Sequence, residues 1–270
     1  MRRQLIIYGG LLVLLLNPAG EKAFSQPLPY VNVREADVMW SKRVWRIIDL
    51  REKMNLPLYY PLEELPERKS LFRVIQQGIA SGKISKVFDY DVFTNEFGTQ
   101  LSMPDALKKM TESIDVKTPE GEPLLDSNGN QITMQDTLTP NRIAQYWVKE
   151  DWFFDKQRSV MEVRILGIAP VIEMNDPVND RFSYKPLFWL YYPDCREYFS
   201  EYKAYNPYND SNWINFDALF QKRLFSSCIR QESNVYGRPI IAYAEGEEAL
   251  LESERIKEAI FKFESDLWHY

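Results

Sequence analysis

One histidine, His269, two cysteines, Cys195 and Cys228, and 39 acidic residues bound the chemistry open to this chain. A Ser-His-Asp or Cys-His centre would have to be built around His269, next to the last residue, where chain ends fray. Zinc takes three or four nitrogen or sulfur ligands, and one His with two distant Cys does not supply them. Two short words imitate sites without completing them. Gly78-Ile-Ala-Ser-Gly82-Lys83 is one spacer short of a phosphate loop and has Ile84 where Ser or Thr would hold magnesium. A helix C-cap at Gly82 is expected there instead. Asp126-Ser-Asn128-Gly-Asn130 places its glycine too early for a calcium loop, with Thr137 where the bidentate Glu belongs. A hairpin turn at Asn128-Gly129 is expected. Paired carboxylates are the chemistry left over, and a glycosidase needs no more than two. A secreted carboxylate-dependent hydrolase therefore stands as the alternative function, although no pair stands out by spacing. The expectation is no catalytic, cofactor-binding or metal residues and no cofactor.

The elements that would position a site begin with a leader. Arg2 and Arg3 precede an apolar run over 5–16, and Ala23-Phe24-Ser25 offers the small residues a signal peptidase reads. A signal peptide over 1–25 is expected, with 26–270 as the mature domain. The run is short for a bilayer and no second one follows, so no membrane span is expected. The net charge of −6 becomes about −8 once Arg2, Arg3, Lys22 and Glu21 leave. That argues against nucleic acid, whose binding rests on neutralised phosphates. Exported, the two cysteines could pair, and sequence leaves that open.

Alternation marks the centre of the chain. In KEDWFFDKQRSVMEVRILGIAPV (149–171) an aromatic triplet, Trp152 to Phe154, precedes a strand whose apolar side carries Met161, Val163 and Ile165. Helices are expected over 35–54, 67–81, 102–113, 193–205 and 215–232, and strands over 83–90 and 239–243. The stretch 186–192 reads as either. In the first helix, Lys42, Arg43, Arg46, Arg51 and Lys53 flank the stripe as a solvated face or a docking surface for an acidic partner. Tyr198, Tyr202, Tyr205 and Tyr208 read as core or local packing, or as an exposed stripe for a protein or glycan. A last amphipathic helix over 247–268 has Ala249, Ser253, Ile256, Ile260, Phe263 and Leu267 at spacings of three and four. Three words recur in one order at offsets of 114, 116 and 112: Asp37–Lys42 with Asp151–Lys156, Leu71-Phe72 with Leu187-Phe188, and Asp105-Ala-Leu107 with Asp217-Ala-Leu219. The fold class expected is α+β: two divergent copies of one α/β unit (37–114 and 151–229) joined by a polar hairpin-containing connector over 118–137, plus the C-terminal amphipathic helix.

The words at 149–171, 40–55 (WSKRVWRIIDLREKMN) and 249–270 (ALLESERIKEAIFKFESDLWHY) resemble the GldN/PorN proteins of Bacteroidetes over essentially the whole mature chain. The resemblance implies a non-catalytic periplasmic structural protein of the type IX, or Por, secretion system. It would be held at the inner face of the outer membrane in a ring with the lipoprotein GldK/PorK. It would also contact the periplasmic part of GldM/PorM, supporting protein transport and, in some members, gliding motility. No catalytic residue comes with the resemblance.

Overall fold

A computed structural model describes residues 27–91, 95–115, 133–176, 181–206 and 213–267. The leader at 1–25, the Asn128-Gly129 turn, Tyr208 and His269 lie outside the described residues. In chain order the elements are β1 (Val38–Asp49), α1 (Leu56–Tyr59), α2 (Leu71–Ala80), β2 (Val87–Tyr90), β3 (Phe97–Gln100), α3 (Met103–Lys109), β4 (Thr111–Asp115), β5 (Thr133–Thr137), β6 (Ile143–Asp155), β7 (Val160–Asp176), β8 (Arg181–Pro186), β9 (Trp189–Tyr191), α4 (Tyr192–Ser200), β10 (Lys203–Ala204), β11 (Ile214–Asn215), α5 (Phe216–Gln221), β12 (Cys228–Glu232) and α6 (Glu247–Leu267).

The β6–β7 hairpin is the axis of the molecule. The stretch 149–171 spans its turn, and the strand expected after the aromatic triplet is β7, lengthened to Asp176. An antiparallel sheet grows on both sides in the order β12-β1-β6-β7-β9-β2-β3, with β8 pairing to the far end of β7. Every ladder in it is antiparallel. Register and the two-residue period fix the faces. Ile48, Tyr146, Val148 and Ile168 point to one side and enter the largest apolar cluster, which α2, α4 and α5 cover. Further along that side Val44, Trp152 and Ile229 meet Ile256 and Ile260 of α6. The other side carries Trp45, Trp147, Ala169 and Trp189, with Phe88, Tyr90 and Phe97 from β2 and β3 packed on them. Asn95, just before β3, reaches back across this side. Its carbonyl accepts from Trp45 Nε1 at 2.9 Å, and its side chain bonds Gln231 of β12 at 2.6 Å. One end of the sheet is thus tied to the other.

The helix expected over 35–54 is instead β1. Its apolar residues recur at three and four because β1 lies between β6 and β12 and buries side chains on both faces. A strand buried on both faces loses clean alternation. Val44, Ile47, Ile48, Trp40 and Trp45 are also β-branched or aromatic, the types that suit an extended chain. The helix over 215–232 is cut short as well. Asn215 caps α5 as its sequence predicts, its Oδ1 accepting from Ala218 N at 2.7 Å. The chain then leaves the helix through Arg223, whose φ of 53° ends it, and returns as β12. The strand expected over 239–243 is a 3₁₀ turn, Ile240–Ala242.

Other expectations hold in part: the helix over 193–205 is α4, which ends at Ser200 before β10, and the strand over 83–90 is β2, shortened to Val87–Tyr90. The helix over 67–81 is α2, with Leu71, Phe72, Val74, Ile75 and Ile79 buried. Ser102 caps α3, but the chain turns into β4 at Thr111 instead of continuing as helix to residue 113. β4, which precedes the polar connector, pairs with β5, the connector's last five residues. The α+β class holds, whereas the structure does not confirm two copies of one unit. Val38–Lys42 open a strand while Asp151–Asp155 close one, and Leu71-Phe72 begin a helix while Leu187-Phe188 precede a strand.

Gly78 on α2 shows how closely the helical layer packs. A Cβ there would stand 2.5 Å from Ile84 Cδ1 and 2.6 Å from Tyr198 Cε1. Gly78→Ala is expected to cost about 1–3 kcal/mol, the usual price of overpacking, read from the midpoint of urea denaturation.

Candidate functional site

Ionic groups gather where β1, β6 and their neighbours cross. Glu150 is fully buried between the two apolar clusters of the helix-covered face. It accepts from Arg46 Nε at 3.1 Å, Arg223 Nη1 and Nη2 at 2.8 and 3.2 Å, and Trp152 Nε1 at 3.0 Å. Four donors fill the acceptor capacity of one carboxylate. Nothing is left to take a proton from a substrate, so Glu150 holds the sheet together.

The opposite face has a second group. Arg43 donates to both oxygens of Asp151 at 2.7 and 3.0 Å and to Glu96 at 3.3 Å, and Glu96 also contacts Lys149 Nζ. Lys149 is 1% exposed, with its ammonium 4.5 Å from the Phe97 ring centroid. Burial, and after it the nearby Arg43 guanidinium, push Lys149 down to about 7. The Asp151 carboxylate pulls the other way. A lysine titrating near neutrality has the chemistry of an imine-forming nucleophile. This one is closed in by Phe97 and Trp45 and lines neither of the clefts described below.

A third group joins the helices. Arg196 and Asp217 pair at 2.9 Å, the Tyr192 hydroxyl donates to the same carboxylate at 3.0 Å, and Arg196 stacks on Tyr30 of the N-terminal segment. The carboxylates that cluster are thus each committed to a cation. Of the basic residues read as a helix face, Lys42, Arg43 and Arg46 are strand residues paired with Glu232, Asp151 and Glu150, Arg51 follows the strand and pairs with Asp49, and Lys53 is exposed in the 3₁₀ turn after it.

The residues singled out by chemistry do not come together. Cys195 is buried in the helical core and Cys228 is half-buried on the edge strand, and both are free thiols. Burial raises both above the ordinary thiol range. Reductant is therefore expected to leave the melting temperature unchanged, and a thiol reagent should modify Cys195 only on unfolding. Gly82, at φ +71°, closes α2 with its N–H on Ile79 O at 3.0 Å, the C-cap role that its sequence suggests. Tyr198 is buried and its hydroxyl meets that of Tyr202 at 2.8 Å, while Tyr205 is 41% exposed. Of the tyrosine row, Tyr198 and Tyr202 are therefore local packing.

Two clefts are lined by described residues. One, of about 490 Å³, lies between the N-terminal segment and α5. The other, of about 600 Å³, runs beside β12 between Trp147 and the first turns of α6. Sequence reading missed Arg230, which lines the second.

The fold is thus an antiparallel sheet with helices on one face, and the charges that cluster on it are spent on internal pairing. The chain belongs to the GldN family, gliding motility associated proteins, whose model matches residues 33–269. Comparison with curated proteins gives no match. Among the described residues no helix is long and apolar enough to cross a membrane, and no cluster of His, Cys, Asp and Glu could hold a metal ion.

Proposed function

We propose that this chain is a non-catalytic structural adaptor of the type IX secretion system, exported on the leader at 1–25 to the periplasm. In this reading it assembles into a ring with the lipoprotein GldK/PorK at the inner face of the outer membrane and contacts the periplasmic part of GldM/PorM. There it supports protein secretion and, in organisms that glide, motility. The observation that carries the reading is the family match over 33–269. The commitment of Arg46, Glu150, Arg196 and Asp217 to one another supports it, because buried pairs of this kind hold a frame rigid.

The test is a tagged chain expressed in its native host, with the envelope solubilised in mild detergent. The lipoprotein is expected to co-purify in an assembly far larger than the 31.9 kDa chain. Deletion should abolish export of secreted substrates, and the wild-type chain should restore it. A tagged chain recovered only as a free monomer, with export intact in the deletion strain, would overturn the reading.

A further inference from the structure

The cleft beside β12 contains a cation that no carboxylate of the described residues neutralises. Trp45 pairs with Gln231 and Arg46 with Ile229, so Arg230 is the extra residue of a bulge and stands out of the ladder. Its guanidinium lies over Trp147, 4.0 Å from the ring centroid. It donates to Asn95 Oδ1 at 3.1 Å, with the Tyr90 hydroxyl beside it, and both are neutral groups. Burial pushes Arg230 below its ordinary value. Glu245 lines the same cleft but makes no ion pair with Arg230, nor does any other carboxylate of the described residues. The contrast with its neighbours is sharp, since Arg43, Arg46 and Arg223 each hold an acid. A desolvated cation without a counterion is costly, and the cost is relieved when a carboxylate arrives.

The remaining wall mixes polar residues, Gln145, Ser183, Tyr184 and Ser253 among them, with a group of large apolar side chains. Ile47 and Trp147 come from the sheet, Ile240 and Ile241 from the 3₁₀ turn, and Leu250 from α6. Ile241 is 68% exposed and Leu250 58%, and Leu251, beside the cleft on α6, is 63% exposed. Grouped apolar side chains at a cleft mouth mark a binding surface. A stacked Trp–Arg pair at its centre is the composition of an interface hot spot.

We propose that this cleft is the docking site for an extended segment of a partner protein that carries an Asp or Glu among apolar residues. The carboxylate meets Arg230, and the flanking apolar side chains cover Ile241 and Leu250. Charge complementarity selects the acid. The exposure of Ile241 and Leu250 at the mouth, with exposed Leu251 next to Leu250 on α6, selects a chain segment over a small molecule. That the occupant is a protein rests on the assembly reading above, whereas the chemistry it must carry rests on the cleft alone.

The test places a photo-crosslinking phenylalanine analogue at Ile241 and, in a second variant, at Leu250, in the native host, with exposed Lys262 as the control position. Crosslinked peptides are then sequenced by mass spectrometry. Both positions are expected to capture one segment of another protein, with an acidic residue between apolar ones. Arg230→Gln should lower the yield at least about tenfold, the scale of a lost buried charge pair, while Arg230→Lys retains most of it. Arg230 stacks on Trp147, so Leu250→Glu, at an exposed position, is the variant that spares the fold; it should also suppress capture at Ile241. Four results would each overturn the proposal: yields no higher than at Lys262; capture of a second copy of this chain, or of lipid; a captured segment without an acidic residue; or full yield in Arg230→Gln. If capture fails while the wild-type chain still co-purifies with envelope partners, the docking site is wrong and the assembly reading stands. Loss of co-purification by the wild-type chain strikes the assembly reading instead.

Discussion

Glu150→Ala is expected to destabilise the protein by about 3–5 kcal/mol, the range for breaking a buried ion pair from one side. The side chain of Arg46 is only 6% exposed, so once the carboxylate is gone its charge has no route to water. Burial already pushes Arg46 down, and Glu150 is the group that holds it up. Arg223, at 30% exposure, can turn outward and contributes less to the loss. Trp152 Nε1 would be orphaned at the same time, adding the penalty of a buried unpaired donor. The pair itself is not expected to be worth that amount. Glu150→Leu combined with Arg46→Met removes both charges and should recover much of the deficit, because apolar replacement of a buried pair is often close to neutral. Urea denaturation of the two single variants and the double variant closes the cycle. A single-variant loss under about 1 kcal/mol would mean that water or another group already satisfies Arg46, contrary to its burial.

None of this pairing was legible in the sequence, and the reason is distance along the chain. Arg46 and Glu150 are 104 residues apart, and Arg43 and Glu96 are 53 apart. Sheet register brings them together, and register comes from pairings that no local pattern encodes. What was legible is what is local. Ser102, Asn215 and Gly82 act at helix ends within a turn of themselves, and α2 and α6 each keep their apolar stripe within one element. The alternation of β7 was readable because its first residues, Met161 and Val163, are only half-buried and Val160 is exposed. β1 defeated the same test because Val44, Trp45, Arg46 and Ile48 are buried in near succession, and a buried charged residue reads as an exposed one. Arg46 looked like part of a solvated face for that reason. Arg230 escaped because a bulge has no signature in one strand alone. It appears only when Trp45 and Arg46 are set against their partners.

The C-terminal helix yields the second large effect. Ile256 and Ile260 are 2% and 3% exposed, packed against Val44, Trp152, Ile229 and Ile240 of the same chain, and Phe263 stacks on Trp40 with centroids 4.7 Å apart. Ser253 Oγ accepts from the backbone N–H of Ile229 at 2.7 Å, a further tie between α6 and the edge strand. The helix therefore covers its stripe at home, and a neighbouring copy is not needed to bury it. Ile256→Asp is expected to cost the isolated protein at least about 4 kcal/mol, because an unpaired carboxylate would enter a closed apolar cluster on top of the lost packing. Adding Phe263→Asp should deepen the loss by less, since Phe263 is only half-buried. Phe261, half exposed and touching Trp152 only edge-on, is the internal control: Phe261→Ser should shift the midpoint little. The measurement is urea denaturation of purified protein at low concentration, where no assembly forms. An Ile256→Asp midpoint equal to wild type would show that the helix is detached in solution. β12 would then lose its outer cover, and the wall that Leu250 gives to the Arg230 cleft would be lost with it, so this single number also decides whether that cleft exists in the free protein.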